Sequence, residues 1–379
     1  MQIALDARQI YRSNRRGIGK TLLQLYRHVA QQRPDWQVEA FHRRQGHLLT
    51  SLPASIEPHA IDMFGDRFDA WMRWRLPLTA WQRGADLLHC PANICPTWLP
   101  IPTVVTIHDL NPLDFPQETD RFFTGRFEQS VRVACERAWI MCPSQYVATR
   151  LVNQWAADPN RLRVNPWAAD PSIRPLARDE YGSVLAKHHL NGPFLLHFGS
   201  GKIRKNTRRV IEAWSKLKPI FRRHWQLLIV GLEGAGRVRA AQWTSQFEVE
   251  SSVRLHGFMD ESDIPALMSA SSALVYPSLS EGFGLPILDA WAAHTPVLCS
   301  NTTSLPEVAG AAALKVEPVS VAAISSGLER LLEDESLCSQ LLDAGERRLA
   351  TYSWSTCAGR FVETVEDAMG KTSHYRAAA

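Results

Sequence analysis

Two carboxylates flank a glycine-containing turn in the segment SLSEGFGLPILDAWAAH, residues 278–294. Glu281 and Asp289 stand eight positions apart, and the flanking apolar runs predict a strand, a turn and a helix that begins at Pro286. The backbone amides of Gly282–Leu285 would then lie at a helix N-terminus, which favours negative charge. Carboxylates accept hydrogen bonds from hydroxyl groups. The pattern predicts a site for a phosphorylated, polyhydroxylated ligand, and spacing alone leaves a purely structural turn as the alternative.

A second group of charged side chains follows another apolar run, in the segment FGSGKIRKN, residues 198–206. Lys202, Arg204 and Lys205 stand there in a predicted strand-to-helix turn. Cations in such a turn neutralise a diphosphate, and Arg204 or Lys205 could reach its oxygens. Basic surface turns are also common without a ligand, so this turn supports a binding site only together with the first segment.

Two further features stand where apolar strands are predicted to end. His108 and Asp109 close the apolar run of VVTIHDLNPLDFP, and Gly17 and Gly19 follow the first strand in GIGK. A histidine at a strand end is a candidate for contacting substrate, although a hydrogen-bonded structural histidine is the commoner case. The two glycines remove side chains that would face a ligand crevice.

Short apolar runs alternate with helix-like segments along the chain, which predicts parallel strands covered on both faces. The first half supplies the runs MQIALDA, ADLLHCP, TVVTIHD and AWIMCPS. The second half supplies PFLLHFGS, WQLLIVG, SVRLHGF, SALVYPS, TPVLCSN and AALKVEP. We therefore expect an α/β protein with two doubly wound domains, in which ligands bind at the carboxyl ends of the strands.

The proline-rich segment RLRVNPWAADPSIRP, residues 161–175, is the predicted linker between these domains. We expect an N-terminal domain over residues 1–170 and a C-terminal domain over residues 171–354. A last helix near YSWSTCAGRFVETVEDAM would begin after Ser353 as its cap.

Composition limits the class of protein. A chain of 379 residues exceeds the size at which single cores stop growing, and a hydrophobic content of 45% is ordinary for globular proteins. The net charge of +4 does not call for nucleic acid. Seven scattered cysteines favour neither a disulfide framework nor a zinc site. No apolar run reaches the length of about 18 residues that a membrane span needs, so we expect a soluble, cytoplasmic protein.

These motifs together resemble the retaining glycosyltransferases of the GT-B fold. The resemblance covers nearly the whole chain, and it is most specific over residues 253–310, which contain RLHGF, SALVYPS and SEGFGLPILDAWAAHTPVLCSN. More narrowly, the chain is similar to a large bacterial family with the signature E-x7-E, which includes many mannosyltransferases of surface polysaccharide assembly. The resemblance implies two Rossmann-like domains that face across a cleft, with a C-terminal helix, here residues 355–379, that packs back on the first domain.

The resemblance also implies residue roles. It assigns contact with the donor sugar to Glu281 and His108, and binding of the diphosphate to Lys205. The ribose contact belongs to a second glutamate in the family, and this chain has the shorter Asp289 there. An arginine that some members carry in the basic turn is replaced by Ser200. The catalytic candidates are therefore His108, Lys205 and Glu281, and the donor-binding candidates are Gly17, Gly19, Asp109, Ser200, Lys202, Arg204, Gly282, Phe283, Gly284, Leu285 and Asp289.

The implied activity is transfer of a hexose from a nucleotide-diphosphate sugar to a glycan or lipid-linked acceptor, with mannose from GDP-mannose as the specific expectation. No cofactor and no metal are expected, because a strict D-x-D motif is absent and the basic turn can neutralise the leaving diphosphate. Three alternatives stay open: a nucleotide-sugar epimerase, a nucleotide-sugar-binding protein without transferase activity, and a dinucleotide-dependent oxidoreductase suggested weakly by VGLEGAG.

One segment allows two interpretations. Residues 66–88 interleave tryptophans with arginines, namely Trp71, Trp74 and Trp81 with Arg67, Arg73, Arg75 and Arg83. An interfacial helix has this composition. The interpretation we favour from sequence is a helix that packs its Trp and Leu side chains on the first sheet and leaves its arginines in solvent. Peripheral contact with the inner face of the cell membrane is left open for a lipid-linked acceptor.

Overall fold

Strands of three to six residues pair into two parallel sheets in the computed structural model, which describes residues 1–11, 17–43, 52–61 and 70–370. The first sheet has seven strands in the order β3-β2-β1-β4-β5-β6-β7 among these residues. Its strands are β1 Gln2–Asp6, β2 Gln37–His42, β3 Ile56–Ala60, β4 Leu87–Cys90, β5 Thr103–Thr106, β6 Trp139–Cys142 and β7 Leu162–Val164.

The second sheet repeats this topology. Its six strands among the described residues follow the order β10-β9-β8-β11-β12-β13, so the strand order reverses between β8 and β11 as it does between β1 and β4. Its strands are β8 Phe194–Phe198, β9 Gln226–Val230, β10 Val253–Leu255, β11 Ala273–Tyr276, β12 Val297–Ser300 and β13 Leu314–Val316. Ligands of open parallel sheets bind where such an order reverses.

Helices connect the strands on both faces of each sheet. The α-helices in the described part of the first unit are α1 Gly17–Gln32, α2 Leu76–Gln82, α3 Asn111–Asp114, α4 Arg121–Arg137, α5 Gln145–Trp155 and, at the C-terminus, α15 Trp354–Gly370. Those of the second unit are α6 Arg178–Lys187, α7 Thr207–Ser215, α8 Pro219–His224, α9 Gly234–Gln246, α10 Ile264–Ala270, α11 Leu285–Ala292, α12 Leu305–Ala309, α13 Val321–Glu333 and α14 Glu335–Leu349. A π-helical turn, Trp71–Arg75, leads directly into α2.

The chain divides into two compact units, each with its own core. Unit 1 is Met1–Trp167 with Tyr352–Ala379, and unit 2 is Ala168–Thr351. Apolar side chains of strands and helices fill both cores, for example Leu88, Val105 and Phe127 in the first and Leu195, Trp214 and Val275 in the second. The prediction of two doubly wound α/β domains is confirmed.

The C-terminal helix belongs to unit 1 because it packs on α1. The ring of Phe361 lies 5.5 Å from that of Tyr26 and 4.8 Å from that of His89. Gln32 donates a hydrogen bond of 2.8 Å to the carbonyl of Ser355. Ser353 caps this helix by accepting from the amide of Thr356 at 3.0 Å, as the sequence predicts. The expected end of the helix at residue 379 lies outside the described residues.

Three details of the sequence interpretation were wrong. Helix α11 begins at Leu285, one residue before the expected Pro286. The predicted linker is not irregular throughout, because its residues 162–164 form β7 beside β6. The favoured interpretation of residues 66–88 holds for Trp71, which is buried, but Trp74 and Trp81 are exposed rather than packed on the sheet. Arg67 in that segment lies outside the described residues.

Candidate donor-binding site

The topology of unit 2 brings the two charged segments together. Strands β8 and β11 are neighbours in the sheet, with Leu195 paired to Ala273 and Leu196 to Leu274. The basic turn follows β8, and the turn that contains Glu281 follows β11. Because parallel strands end at the same sheet edge, both turns lie at the edge where the strand order reverses. The basic turn and the turn that contains Glu281 therefore both stand at the carboxyl ends of strands, as the sequence predicted.

Lys205 and Glu281 form an ion pair at the centre of this edge. Lys205 Nζ lies 2.7 Å from Glu281 Oε1, and Arg204 Nη1 lies 3.5 Å from Glu281 Oε2. Only 18% of each cationic side chain and 11% of the Glu281 side chain are exposed. The carbonyl of Arg204 also accepts a hydrogen bond of 2.7 Å from the amide of Leu279, which joins the two turns through the backbone.

Tyr276, the last residue of β11, lies beneath this ion pair. Lys205 Nζ donates to the Tyr276 hydroxyl at 3.1 Å and stands 4.9 Å from the centre of its ring. The same hydroxyl hydrogen-bonds Glu281. Burial and the neighbouring Glu281 charge raise the pKa of Tyr276 well above its ordinary value, so the phenol is protonated. The residue therefore links the cation and the carboxylate through one hydroxyl group.

The local charges keep Glu281 ionised. Its burial alone would raise the pKa of the carboxyl, but the charges of Lys205 and Arg204, together with hydrogen bonds from Lys205 and Tyr276, outweigh burial and hold that pKa below its ordinary value. With one anion and two cations, the cluster carries a net positive charge. It thus offers hydrogen-bond acceptors for hydroxyl groups beside cations for phosphate oxygens.

Asn206 holds the basic turn in place. Its backbone has φ of +60°, which lets a 3₁₀ turn over Ile203–Lys205 pass directly into α7. Its buried side chain donates to the carbonyls of Pro277 at 2.8 Å and Pro318 at 2.7 Å. The first bond fixes the turn after β8 to the turn after β11, and the second fixes it to the segment after β13. Sequence reasoning did not single out Asn206, since both partners are distant in the chain.

The second turn is held by hydroxyl groups from the segment before α12. The Glu281 amide donates to Thr303 Oγ1 at 3.3 Å. Ser304 Oγ donates to the carbonyls of Glu281 at 2.8 Å and Phe283 at 3.1 Å. Gly284 has φ of +114°, and a Cβ on it would stand 2.7 Å from Leu305 Cδ2. The residues of this turn that were predicted to bind the donor, Gly282, Phe283, Gly284 and Leu285, thus stand at the start of α11, and the conformation at Gly284 favours glycine.

Asp289 has a partner within unit 2. Its Oδ1 accepts a hydrogen bond of 2.9 Å from the amide of Asp170. Asp289 therefore attaches α11 to the segment that begins this unit. This hydrogen bond gives Asp289 a structural role that the sequence did not predict. The assignment of Asp289 to a nucleotide ribose stays a prediction.

The other donor-binding candidates of unit 2 lie in the first half of the basic turn. Ser200 Oγ accepts from the amide of Lys202 at 3.1 Å, and the Lys202 side chain is exposed. A Cβ on Gly236 would stand 2.7 Å from the Cα of Gly201, so the glycine of VGLEGAG permits close packing of α9 on this turn. That packing accounts for the glycine without a bound dinucleotide.

His108 and Asp109 lie in unit 1, after β5. His108 Nε2 donates to the carbonyl of Pro91 at 2.7 Å, and its ring lies 5.5 Å from the Trp167 ring. Burial lowers the pKa of His108, so the imidazole is neutral at pH 7 and its proton is held on Nε2. Asp109 Oδ1 accepts from the amide of Asn111 at 3.0 Å. Whether either residue touches the donor stays a prediction.

Gly17 and Gly19 do not form a loop. Both lie in the first turn of α1, where Gly17 is exposed and Gly19 is buried. Their expected role in donor binding stays a prediction. The structure thus brings together Arg204, Lys205, Glu281 and the 282–285 turn, and it adds Tyr276 and Asn206. The tyrosine had a sequence signal, since it is a polar residue at the end of an apolar strand.

The described residues contain neither a membrane-spanning helix nor a cluster of metal-ligating side chains. Among residues 1–11, 17–43, 52–61 and 70–370, no helix has the length and apolar character to cross a membrane. The same residues contain no cluster of three or more His, Cys, Asp or Glu side chains that could hold a metal ion.

Several known proteins of similar sequence are mannosyltransferases. The chain is 30% identical to the O-antigen chain mannosyltransferase B of Escherichia coli over 256 residues, which cover 67% of each protein. It is 31% identical over 182 residues to the serotype-specific mannosyltransferase WbdA of the same species, a match that covers 46% of this chain and 22% of WbdA.

Solved structures show the same fold at lower identity. A sucrose-phosphate synthase from Thermosynechococcus elongatus superposes with a TM-score of 0.78 at 19% identity, covering 98% of this chain and 99% of the other. The Anabaena protein Alr3699/HepE in complex with UDP-glucose superposes with a TM-score of 0.72 at 17% identity, covering 96% and 99%.

Two family models match the chain in succession. Residues 15–173 match the model described as Glycosyltransferase Family 4, and residues 186–348 match Glycosyl transferases group 1. The second match contains the basic turn, Tyr276, Glu281 and Asp289. Together with the relative that is 30% identical over two thirds of the chain, these matches show that the protein belongs to the glycosyl transferases group 1 family and is a glycosyltransferase with the GT-B fold.

Proposed function

We propose that the protein is a retaining hexosyltransferase that moves mannose from GDP-mannose to a hydroxyl of a glycan or lipid-linked oligosaccharide in surface polysaccharide biosynthesis. The observation that carries the donor class is the Lys205–Glu281 pair, with a distance of 2.7 Å at the sheet edge where nucleotide ligands bind. The choice of mannose and of a polysaccharide acceptor is supported by the two mannosyltransferase relatives.

In this proposal the cationic and the anionic side chains of the cluster bind different parts of the donor. Lys205 and Arg204 contact the diphosphate, where charged hydrogen bonds are strongest. Glu281 accepts hydrogen bonds from hydroxyls of the transferred sugar. The start of α11 adds its helix dipole beside the phosphate. Tyr276 is too deeply buried to reach the ligand, so it acts through Lys205 and Glu281.

The reaction forms a bond between the anomeric carbon of the sugar and the acceptor oxygen and breaks the bond between that carbon and the diphosphate oxygen. The acceptor attacks the face from which the diphosphate leaves, which retains the anomeric configuration. Its proton passes to an oxygen of the departing phosphate, so no protein base is needed. Negative charge develops on the leaving diphosphate, and Lys205 and Arg204 stabilise it in a partly buried site.

We also propose that transfer proceeds without a divalent ion. In other transferases a metal neutralises the charge of the leaving diphosphate, and here Lys205 and Arg204 do so. The enzyme then works in the cytoplasm, at the inner face of the cell membrane where its acceptor is lipid-linked. Its partners are the nucleotide-sugar donor and the glycan acceptor, and it needs no cofactor.

The test is a transfer assay with GDP-mannose, UDP-glucose, UDP-galactose and ADP-glucose as donors, each with and without EDTA. Short mannose oligosaccharides serve as acceptors. We expect product from GDP-mannose at the same rate in EDTA, and an α-linked product from the α-linked donor by NMR. A β-linked product would contradict retention, and loss of activity in EDTA would contradict metal independence.

The same assay separates the alternative functions. A protein that interconverts the donor sugar without an acceptor would be an epimerase. A protein that binds the nucleotide sugar but never transfers or hydrolyses it would be a binding protein. Product from a different donor would leave the transferase reaction in place and replace mannose with that sugar.

A further inference from the structure

The segment between β12 and α12, residues 301–304, stands beside the turn that contains Glu281. Strand β12 pairs with β11, and Tyr276 at the end of β11 lies opposite Cys299. Because parallel strands end at the same sheet edge, this segment and the Glu281 turn are neighbours at the carboxyl edge of the second sheet. Side chains of the segment can therefore reach the ligand that the Glu281 turn is proposed to bind.

Thr303, within this segment, has a backbone conformation that threonine rarely adopts. Its φ is +59°, in the left-handed region. A side chain that branches at Cβ is strained there, and glycine or asparagine adopts the same φ at lower cost. The other non-glycine residues with positive φ in the described part of the chain have no such branch, namely Asn93, Ala156, His189, Asn206, Glu248 and His294. Strain of this kind concentrates at functional sites.

The Thr303 hydroxyl accepts one hydrogen bond and remains able to donate another. Its Oγ1 accepts from the Glu281 amide at 3.3 Å. A threonine hydroxyl also has a proton to donate, and no acceptor among the described residues takes it. The neighbouring Ser304 differs, because its hydroxyl donates to the carbonyls of Glu281 and Phe283. Thr303 is half-buried, so a ligand bound at this edge can contact it.

The strand order indicates which part of a ligand Thr303 meets. The order β8-β11-β12 sets the basic turn, the Glu281 turn and residues 301–304 side by side along one edge. Lys205 thus approaches Glu281 from the β8 side, and Thr303 approaches it from the β12 side. In the proposed function Lys205 binds the diphosphate and Glu281 binds the transferred sugar. The Thr303 hydroxyl then lies beside the sugar and away from the diphosphate.

We propose that the Thr303 hydroxyl donates a hydrogen bond to an oxygen of the transferred sugar and contributes to sugar specificity. A sugar hydroxyl both donates and accepts, so Glu281 as an acceptor and Thr303 as a donor are complementary to it. A site that hydrogen-bonds a substrate hydroxyl in this way rejects analogues that lack it. This inference rests on the proposed function and adds a residue that lies outside the E-x7-E signature and the basic turn.

The experiment is calorimetric titration of wild type, Thr303→Val and Thr303→Ser with GDP-mannose and GDP, and in parallel with UDP-glucose and UDP. Valine keeps the branch at Cβ and removes the hydroxyl. For the pair that wild type binds, Thr303→Val is expected to bind the nucleotide as wild type does and the nucleotide sugar about fivefold more weakly, which is the effect of one hydrogen bond. Thr303→Ser keeps the hydroxyl and is expected to bind both ligands as wild type does.

Thr302→Val is the matched control. The Thr302 hydroxyl oxygen is buried and has no hydrogen-bond partner among the described residues, so its removal leaves no group of the turn unpaired. This variant is expected to bind the nucleotide and the nucleotide sugar as wild type does. Circular dichroism checks that every variant is folded.

Sugar analogues that each lack one hydroxyl separate a contact with the sugar from a role in holding the turn. The analogue that lacks the oxygen contacted by Thr303 is expected to bind wild type and Thr303→Val equally, because the substitution and the analogue remove the same hydrogen bond. A turn that is merely displaced in Thr303→Val would weaken binding of every analogue by the same factor.

Four results would overturn the proposal. Thr303→Val could bind the nucleotide sugar as tightly as wild type, or it could lose the same affinity for the nucleotide as for the nucleotide sugar. It could also lose the same affinity for every analogue, which would assign Thr303 to holding the turn. Wild type that binds neither nucleotide sugar would overturn the proposed function together with this inference, whereas the first three results leave the proposed function in place.

Discussion

The residues of the candidate donor-binding site are coupled by charge, so a change in one alters the ionisation of another. Glu281 stays ionised because Lys205 and Arg204 overcome its burial. Lys205 Nζ donates hydrogen bonds to Glu281 Oε1 at 2.7 Å and to the Tyr276 hydroxyl at 3.1 Å. A buried charge that loses its partner keeps its desolvation cost. Substitutions in this cluster are therefore expected to change both binding and pH dependence.

Glu281 is expected to contribute stability that acid removes. Its folded pKa lies below its unfolded value, so on acidification the unfolded state binds this proton first and is favoured. The contribution is present above the unfolded pKa of about 4.3 and is lost as pH falls through the lower folded pKa. Urea unfolding of wild type and Glu281→Gln at pH 7 and at about pH 3, below the unfolded pKa, measures it.

We expect the free energy of unfolding to fall less between these pH values in Glu281→Gln than in wild type. Glu212→Gln serves as the control for a carboxylate outside the cluster. An equal fall in wild type and Glu281→Gln would mean that the carboxyl has the same pKa in both states.

Tyr276→Phe is expected to change the pH profile of transfer while the fold is kept. The phenol hydrogen-bonds ionised Glu281, so its removal raises the Glu281 pKa and moves the acid limb of kcat/KM to higher pH. Phenylalanine keeps the ring on which Lys205 Nζ lies, at 4.9 Å. An unchanged acid limb in Tyr276→Phe would show that the hydroxyl does not position the pair.

At the scale of elements, the site depends on two turns that are fixed by contacts distant in sequence. Asn206 joins the basic turn to Pro277 and Pro318, and Ser304 holds the carbonyls of the turn after β11. Periodicity predicted the strands and helices that flank these turns. It could not predict these contacts, because each partner lies more than 20 residues away.

Gly284→Ala tests the turn after β11. A side chain at φ of +114° is strained, and its Cβ would stand 2.7 Å from Leu305 Cδ2, so we expect a loss of about 2 kcal/mol or more of unfolding free energy. Gly182→Ala in α6 is the control, since no described atom lies within 4 Å of its new Cβ. We expect the control to gain up to about 1 kcal/mol by helix propensity, as measured by urea unfolding. Equal stabilities of the two variants would contradict this account of the turn.

Two strands whose sequences mix charged or polar residues with apolar ones, β2 and β3, were not predicted from the sequence. β2 contains Glu39, whose carboxylate pairs with Arg83 at 2.6 Å, and that partner cannot be recognised from the strand alone. β3 contains Pro58, which an edge strand tolerates because it pairs on one side only. The uniformly apolar strands, such as β8 and β11, were predicted because burial on both faces leaves no room for charge.

At the scale of the whole molecule, the chain returns to its first unit at the C-terminus. Unit 1 combines Met1–Trp167 with the segment from Tyr352, and α15 packs Phe361 on Tyr26 and His89. The sequence predicted this last helix and its cap at Ser353. The alternation of strands and helices in each half of the sequence predicted that the two units repeat one topology. The side chains of α1 that contact α15 could not be predicted, because the two helices lie at opposite ends of the sequence.

Phe361→Ala is expected to destabilise unit 1 selectively. Phe361 is fully buried, and truncation of a buried phenylalanine costs about 3 to 5 kcal/mol. Hydrogen exchange measured by mass spectrometry should accelerate in β1, β4 and α1, while exchange in β8 and β11 stays as in wild type. Equal acceleration in both sheets would show that the two cores unfold as one.

The central claim is that the pair of Lys205 and Glu281 binds the diphosphate of a nucleotide sugar. Calorimetric titration of GDP and UDP into wild type, Lys205→Ala and Lys187→Ala tests it most directly. Lys187 is the matched control, because its Nζ also lies 2.7 Å from a carboxylate, that of Asp263 in the same unit. We predict that one nucleotide binds wild type and Lys187→Ala equally and binds Lys205→Ala at least about tenfold more weakly. Equal binding to all three proteins, or binding of neither nucleotide to wild type, would contradict the claim.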